Sequence, residues 1–406
     1  MARLPTELVA FTDEQEEIVR LCRQFARDEV RPVAREVDEA DVVVPWEIWG
    51  KAATIGLTSF MLPHELGGGG FTDVFTQCLV QEELCAGDLG IGNLLTSNGF
   101  FAHPVLELGS TEQKERFLSR LVGSSPPLTA VAVTEPDVGS DAASLQTRAE
   151  RVPGGYRLMG RKTWISNAGP AELYVVFATV DPALRARGVT AFVMERSVEG
   201  LSFSEPFRKM GQRALVNAEM ILDDVFAPDR DRLGDEGQGF HGLMRTFDAS
   251  RVILGAAATG AARAATEYAT EYASQRRQFG KPIIEHQAVA FRLADMATRV
   301  EAARLMVWRA AKRLDAGLRA TTEAAMAKLV ASETAMFATW GAVQTLGGWG
   351  YSREYLVEKW MRDAKQLQLC AMTAEHADQL AASIAVGKAL DIALVLPSAE
   401  SQNAFV

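Results

Sequence analysis

The feature that most constrains this chain is a double change of periodicity. From residue 11 to about 121 the apolar residues recur at helical spacing. From 128 to 225 they gather in short β-rich runs, and from 240 to 368 long helical stripes return. Such a chain needs a helical layer, a β layer and a second helical layer, each burying its own apolar face. The spacing predicts helices over 11–37, 46–55, 73–87, 90–108 and 111–121, the first with Thr12 and Gln15 as a capping box. The β runs are LTAVAV (128–133), YRLMGRKTWI (156–165), LYVVFATV (173–180), VTAFVME (189–195) and AEMILDDV (218–225). Turn signals such as Pro153-Gly154-Gly155 separate them, a grammar that suits a small barrel or sandwich. Helices are predicted again over 240–274, 284–315, 320–346 and 351–368, enough for a four-helix bundle. The expected domains are 1–124 (α-helical), 125–236 (β-barrel) and 237–395 (four-helix bundle), with a frayed tail at 396–406. The fold class is thus mainly α with a central β domain.

Charge and composition exclude several functions. The chain has 406 residues, 48% of them hydrophobic, with a formal charge of −10. No Lys/Arg cluster stands out, which speaks against nucleic acid and against a membrane surface. No apolar run reaches about 18 residues, so no membrane span is expected. The start, Met1-Ala2-Arg3-Leu4-Pro5, shows no apolar leader core, and the expectation is a cytoplasmic protein. The cysteines Cys22, Cys78, Cys85 and Cys370 form no CxxC pair, and the five histidines are scattered without HExxH. No metal site is expected. The glycine-rich HELGGGGF (64–71) lacks a following Lys-Ser/Thr and reads as a connector.

Six blocks stand in a fixed order along the chain: MLPHELGGGGFTD, AVTEPDVGSDAASLQTRAE, GRKTWISNAG, MGQRALVNAEMILDDVFAP, RRQFGKPIIEHQAVAFRLADM and QTLGGWGYSREYLVEKWMRDAK. Together they resemble the acyl-CoA dehydrogenase family, from Phe11 to about Lys388. The resemblance implies an acyl-CoA dehydrogenase-like subunit, helices then barrel then four-helix bundle, that holds FAD.

In VTEPDVGSD the resemblance implies that Thr134 bonds the isoalloxazine edge. Gly139 would make a positive-φ turn, and Gly139 and Ser140 would offer donors to the diphosphate. In KTWISN it places Trp164 and Ser166 against the flavin. In RRQFGK, Arg276 would reach a neighbouring subunit's FAD diphosphate and Phe279 its adenosine portion. VQTLGGWG would bring Gln344, Gly347 and Gly348 to that same cofactor, and Thr373 would add a further contact. A cofactor shared in this way implies at least a dimer, and the family habit is a homotetramer built as a dimer of dimers. The implied partners are an acyl thioester, carried by coenzyme A or by an acyl carrier protein, and an electron-transfer flavoprotein.

The departure lies in the base. Family members oxidise the thioester at Cα–Cβ, a carboxylate taking the α-proton while hydride leaves Cβ. Counting from RDAK, the usual glutamate position is Ala371, and the alternative position before the arginine of FDASRV is Ser250. Neither side chain is a competent base. The backbone N–H of Ala371 remains to polarise the thioester carbonyl. Asp248 and Glu375 are nearby carboxylates and the weak substitutes for the base, though each is more simply read as support for a helix. Arg251, Cys370 and Met372 would line the substrate pocket, with Leu243 and Met244 beside them. The expected function is an FAD-dependent oxidoreductase acting at Cα–Cβ of an acyl thioester, with an atypical or absent base. The alternatives are a non-oxidative lyase, a flavin monooxygenase, or a non-catalytic FAD-bound subunit.

Overall fold

A computed structural model describes residues 10–370. The expected tail, and with it Ala371, Met372, Thr373 and Glu375, lies outside the described residues. Helix α1 (Asp13–Phe25) opens on the capping box read from the sequence, Thr12 and Gln15 each bonding the other's backbone N–H. The single helix expected over 11–37 instead widens into a π turn at Ala26–Val30 before α2 (Arg31–Ala40). Pro32 explains the widening, because it has no N–H to donate and its ring crowds the carbonyl four residues back.

Five further helices complete the N-terminal part: α3 (Trp46–Thr54), α4 (Val74–Gly87), α5 (Leu89–Leu95), α6 (Asn98–Leu108) and α7 (Thr111–Leu118). The helix expected over 90–108 is two helices. Thr96 ends the first, its hydroxyl donating back to the carbonyls of Gly92 and Asn93. The loop at 64–71 closes on itself, as a connector should. The Gly68, Gly69 and Gly70 amides donate to the carbonyls of Pro63, Ser59 and Leu62 and so are not free for an anion.

The middle part is one eight-stranded sheet: β1 (Thr129–Ala132), β2 (Arg148–Val152), β3 (Gly155–Ser166), β4 (Leu173–Thr179), β5 (Val189–Glu195), β6 (Leu201–Phe203), β7 (Asn217–Pro228) and β8 (Arg232–Leu233). Its path runs β6-β7-β3-β2-β4-β5-β8, with β1 parallel to β4. Every residue of β4 is buried, as its unbroken apolar run requires. Strands β2, β6 and β8 carry no such run, and the sequence reading passed over them.

Helix α8 (Gly239–Gln275) opens the C-terminal part. A two-stranded hairpin, β9 (Arg277–Gln278) and β10 (Lys281–Pro282), follows it. Then come α9 (Gln287–Asp315), α10 (Thr321–Leu346), the single turn α11 (Gly348–Tyr351) and α12 (Val357–Leu369). The last helix starts six residues later than the predicted 351. The Ala/Gly stretch of α8 lets it press on α4: a Cβ on Gly260 would stand 2.2 Å from the carbonyl oxygen of Glu82.

Two apolar cores result. One joins the N-terminal helices to the sheet, and the other joins α1 and α4 to the C-terminal helices. Buried polar groups tie all three parts together. Lys359 on α12 meets Asp88 before α5 and Asp363 at 2.6 Å. Asp363 in turn accepts from the amide of Gln212, whose side-chain oxygen accepts from Asn93.

Candidate functional site

The loop between β1 and β2 is held from beneath by a buried ion pair. Lys162 on β3 is fully buried and donates to Glu135 at 2.7 Å and to the carbonyl of Val133 at 3.0 Å. Glu135 also accepts from the amides of Gln146 and Thr147, so one carboxylate fastens both ends of the loop. Burial draws the Lys162 ammonium down to about 8. Burial also works against ionised Glu135, but Lys162 and the amide donors outweigh it and hold that carboxyl below its ordinary value. Between these anchors Glu135 and Val138 exchange backbone hydrogen bonds across a tight turn. Gly139 and Ser140 then project into solvent. Gly139 does not have the positive φ expected of it. The tight turn is made at 135–138 instead, which leaves Gly139 with no need of the left-handed conformation. What glycine supplies here is room, since a Cβ would meet nothing within 4 Å.

Thr134 lies beside β3, its carbonyl accepting from the amide of Thr163. At this point β3 bulges. Lys162 pairs with Met220 and Ile165 with Ala218, so β3 spends one residue more than β7. The bulge puts Trp164 in a left-handed conformation, φ 59°, and turns its indole outward, 59% exposed. Phe207 packs on one side of that indole, 4.6 Å between ring centroids, and the rest is open. Ser166 is exposed two residues on. The structure therefore brings Thr134, Gly139, Ser140, Trp164 and Ser166 to one region of the middle domain.

Arg276, Gly347 and Gly348 gather elsewhere, around a cavity of about 550 Å³ that Tyr272 and Trp349 also line. Gly347 has φ 63°, and neither glycine would place a Cβ within 4 Å of another atom. Gln344 is exposed on the same helix end but does not line the cavity. Phe279 and Gly280 form the tip of the β9–β10 hairpin, both with positive φ, as a two-residue hairpin turn of this hand requires. Phe279 is 93% exposed, its ring standing edge-on to that of His286, 5.9 Å between centroids.

The third group lies near the start of α8. The Ser250 hydroxyl donates back to the carbonyl of Phe247. Asp248 is committed to Arg251 at 2.9 Å and accepts from the Thr321 hydroxyl at 2.6 Å. Burial raises the Asp248 pKa against the opposing pull of Arg251. Leu243 is fully buried, and Met244 and Arg251 are nearly so. Cys370 ends the described chain, half-buried, its thiol pushed up by burial.

Three residues that the sequence reading passed over belong to these groups. Lys162 could have been found by parity, since it falls on the inward face of β3 with Tyr156 and Leu158. Phe207 and Asn217 carry no local signal, because only the folded loop before β7 brings Phe207 to Trp164 and only the β3–β7 ladder brings Asn217 there. Among the described residues no group of His, Cys, Asp and Glu could hold a metal ion, and no helix is long and apolar enough to cross a membrane.

The residues present fit a large planar, phosphate-bearing cofactor: an outward indole with one open side, exposed loop amides, and an arginine beside two glycines. Family models agree. Those for the acyl-CoA dehydrogenase N-terminal, middle and C-terminal domains match residues 12–124, 130–225 and 237–381. An acyl-CoA dehydrogenase of Bacillus subtilis (strain 168) is 40% identical over 367 residues, covering 90% of this chain and 96% of that protein. The butyryl-CoA dehydrogenase structure from Megasphaera elsdenii superposes with a TM-score of 0.89 at 37% identity, over 93% of this chain and 99% of that one. The structure of PigA with FAD and proline gives 0.88 at 30% identity, over 93% and 99%.

Proposed function

This chain belongs to the acyl-CoA dehydrogenase family, and from that premise we propose that it exchanges the Cα proton of an acyl thioester with water rather than with a protein carboxylate. It is an FAD-dependent oxidoreductase. When bound, FAD supplies a two-electron acceptor or donor at the substrate's Cβ. The chain supplies position and shielding. Trp164 covers one face of the flavin and excludes water, and Ser166 and Thr134 meet its edge. Gly139 and Ser140 offer amide donors to the diphosphate, and Lys162 with Glu135 keeps that loop in place.

The observation that carries the reading is the state of α8. Its only carboxylate near the site, Asp248, is held by Arg251 and Thr321, and Ser250 bonds back to its own helix. With alanine at 371, both family positions lack a proton acceptor. Such a site serves reduction of an enoyl thioester better than desaturation. The enolate left by reduction is basic enough to take its proton from water, whereas a saturated Cα gives its proton to water slowly. Mixing reduced enzyme with enoyl-CoAs and oxidised enzyme with saturated acyl-CoAs, anaerobically, decides the point. The first reaction is expected to be the faster, and the rate of the second should climb with pH without a carboxylate inflection. Rapid bleaching by a saturated acyl-CoA with one clear carboxylate pKa in the profile is incompatible with the proposal.

We further propose that FAD lies between subunits. The roughly 25 positions from Arg251 to Arg276 at 1.5 Å each span about 38 Å along α8, longer than one extended dinucleotide. In keeping with the family resemblance, Arg276, Gly347 and Gly348, which line a cavity apart from Trp164, would serve the cofactor of a neighbouring copy, with the exposed Phe279 entering that copy. A shared cofactor needs at least a dimer; following the family habit we propose a dimer of dimers, with coenzyme A or an acyl carrier protein as the thioester's carrier, an electron-transfer flavoprotein as redox partner and the cytoplasm as location. Arg276→Ala is expected to weaken FAD binding by about ten- to a hundred-fold, the worth of one charge-assisted hydrogen bond. Titration of the apoprotein with FAD measures it.

A further inference from the structure

We propose that Lys209 and Asn217 are positioning residues that aim the Ser166 hydroxyl and fix the Trp164 backbone at the flavin, and so set the cofactor's reduction potential. The inference rests on the reading that FAD lies against Trp164 and Ser166, and it adds residues which that reading does not contain.

Asn217 opens β7 directly opposite Ser166 in the ladder. Its amide oxygen accepts from the Lys209 ammonium at 2.6 Å, and its amide nitrogen donates to the carbonyl of Trp164 and to the Ser166 hydroxyl, each at 3.1 Å. This orientation is forced. An ammonium only donates, so the oxygen of the Asn217 amide must face Lys209, and its NH₂ must face the other way. There it finds two acceptors, the Trp164 carbonyl and the Ser166 oxygen. Ser166 then accepts one bond with its oxygen and keeps its own proton to donate, on an exposed side chain. The hydroxyl is left to act as a donor toward whatever lies outside it.

Lys209 is itself saturated. Its other two protons go to the carbonyls of Gln212, at 2.9 Å, and Leu215. The amide of Phe207, the ring packed on Trp164, donates to the carbonyl of the same Asn217. One cation thus begins a line of donors, Lys209 to Asn217 to Ser166, that ends at the flavin edge. Aligned donors polarise one another, and a positive origin favours an electron-rich neighbour. The reduced flavin is the electron-rich form, so an intact relay raises the potential. The bond to the Trp164 carbonyl meanwhile holds a residue whose left-handed backbone nothing in tryptophan itself favours.

The test uses the full-length FAD-loaded protein with Asn217→Leu, the milder Asn217→Thr, Lys209→Met and Ser166→Ala. The first three are expected to move the midpoint potential negative and to shift the visible flavin band. Lys209→Arg should restore part of both. In the Ser166→Ala background, Asn217→Leu should move the potential no further, because its path to the flavin has been removed. Variants that lose melting temperature while potential and band stay at wild-type values would reduce the network to a structural one, as would a full additive shift in the double variant. A different failure separates the premise: if Ser166→Ala and Trp164→Phe both leave band and potential unchanged, the flavin does not lie there and both readings fall.

Discussion

Replacing Ala371 by glutamate is expected to speed the bleaching of the flavin by a saturated acyl-CoA by about a hundred- to ten-thousand-fold, the contribution of one placed general base. On the proposal above, the count from Arg362-Asp363-Ala364-Lys365 gives position 371 as the place of the family's carboxylate. A glutamate in an apolar pocket is also strengthened as a base, because burial raises its pKa. Nothing on α8 competes for the role, since Asp248 would have to leave Arg251 and Thr321 first. Ala371→Gln has the same size and no basicity, and should leave the rate near wild type. Stopped-flow traces of both variants against one acyl-CoA series give the answer. Equal rates for glutamate and glutamine would mean that the proton leaves by a route that avoids position 371.

The second large effect concerns stability. Lys162→Met should cost about 3–5 kcal/mol, because it strands Glu135 as a buried, unpaired carboxylate. Both partners are almost wholly buried, so solvent cannot stand in for the lost ammonium. The loop from 134 to 147 loses its anchor as well, and FAD content should fall with it. The double variant Lys162→Met/Glu135→Gln removes the stranded charge and should recover much of the stability. Denaturant unfolding together with flavin absorbance follows both quantities. A single variant as stable as the wild type would show that the pair is already balanced by its burial cost.

The three-part architecture was legible because periodicity changes at both borders, and a period of 3.6 cannot be mistaken for one of 2 over such lengths. What escaped was set by contacts rather than by pattern. Pro32 sits inside an amphipathic stripe that continues across it, so the stripe concealed the π turn at Ala26–Val30. Strand β2, Arg148–Val152, is a short charged run inside the sheet, placed there by pairing with β3 along its length and with β4 at Arg148. The loop motifs announced Trp164 and Ser166, but the positive φ belongs to Trp164 and not to Gly139. The reason is that the bulge in β3 turns the chain, a register effect that no local residue type records. Gln344 marks the same limit, since its motif carries Gly347 and Gly348 into the cavity while its own side chain stays outside.

Helix α8 has a consequence for genetics. It keeps the Arg251 end and the Arg276 end of each chain apart, and with FAD shared between subunits, as proposed above, every polypeptide would contribute halves to two different catalytic centres. Two alleles damaged at opposite ends can then rescue one another in a hybrid assembly. One centre receives both intact halves, and its companion collects both lesions.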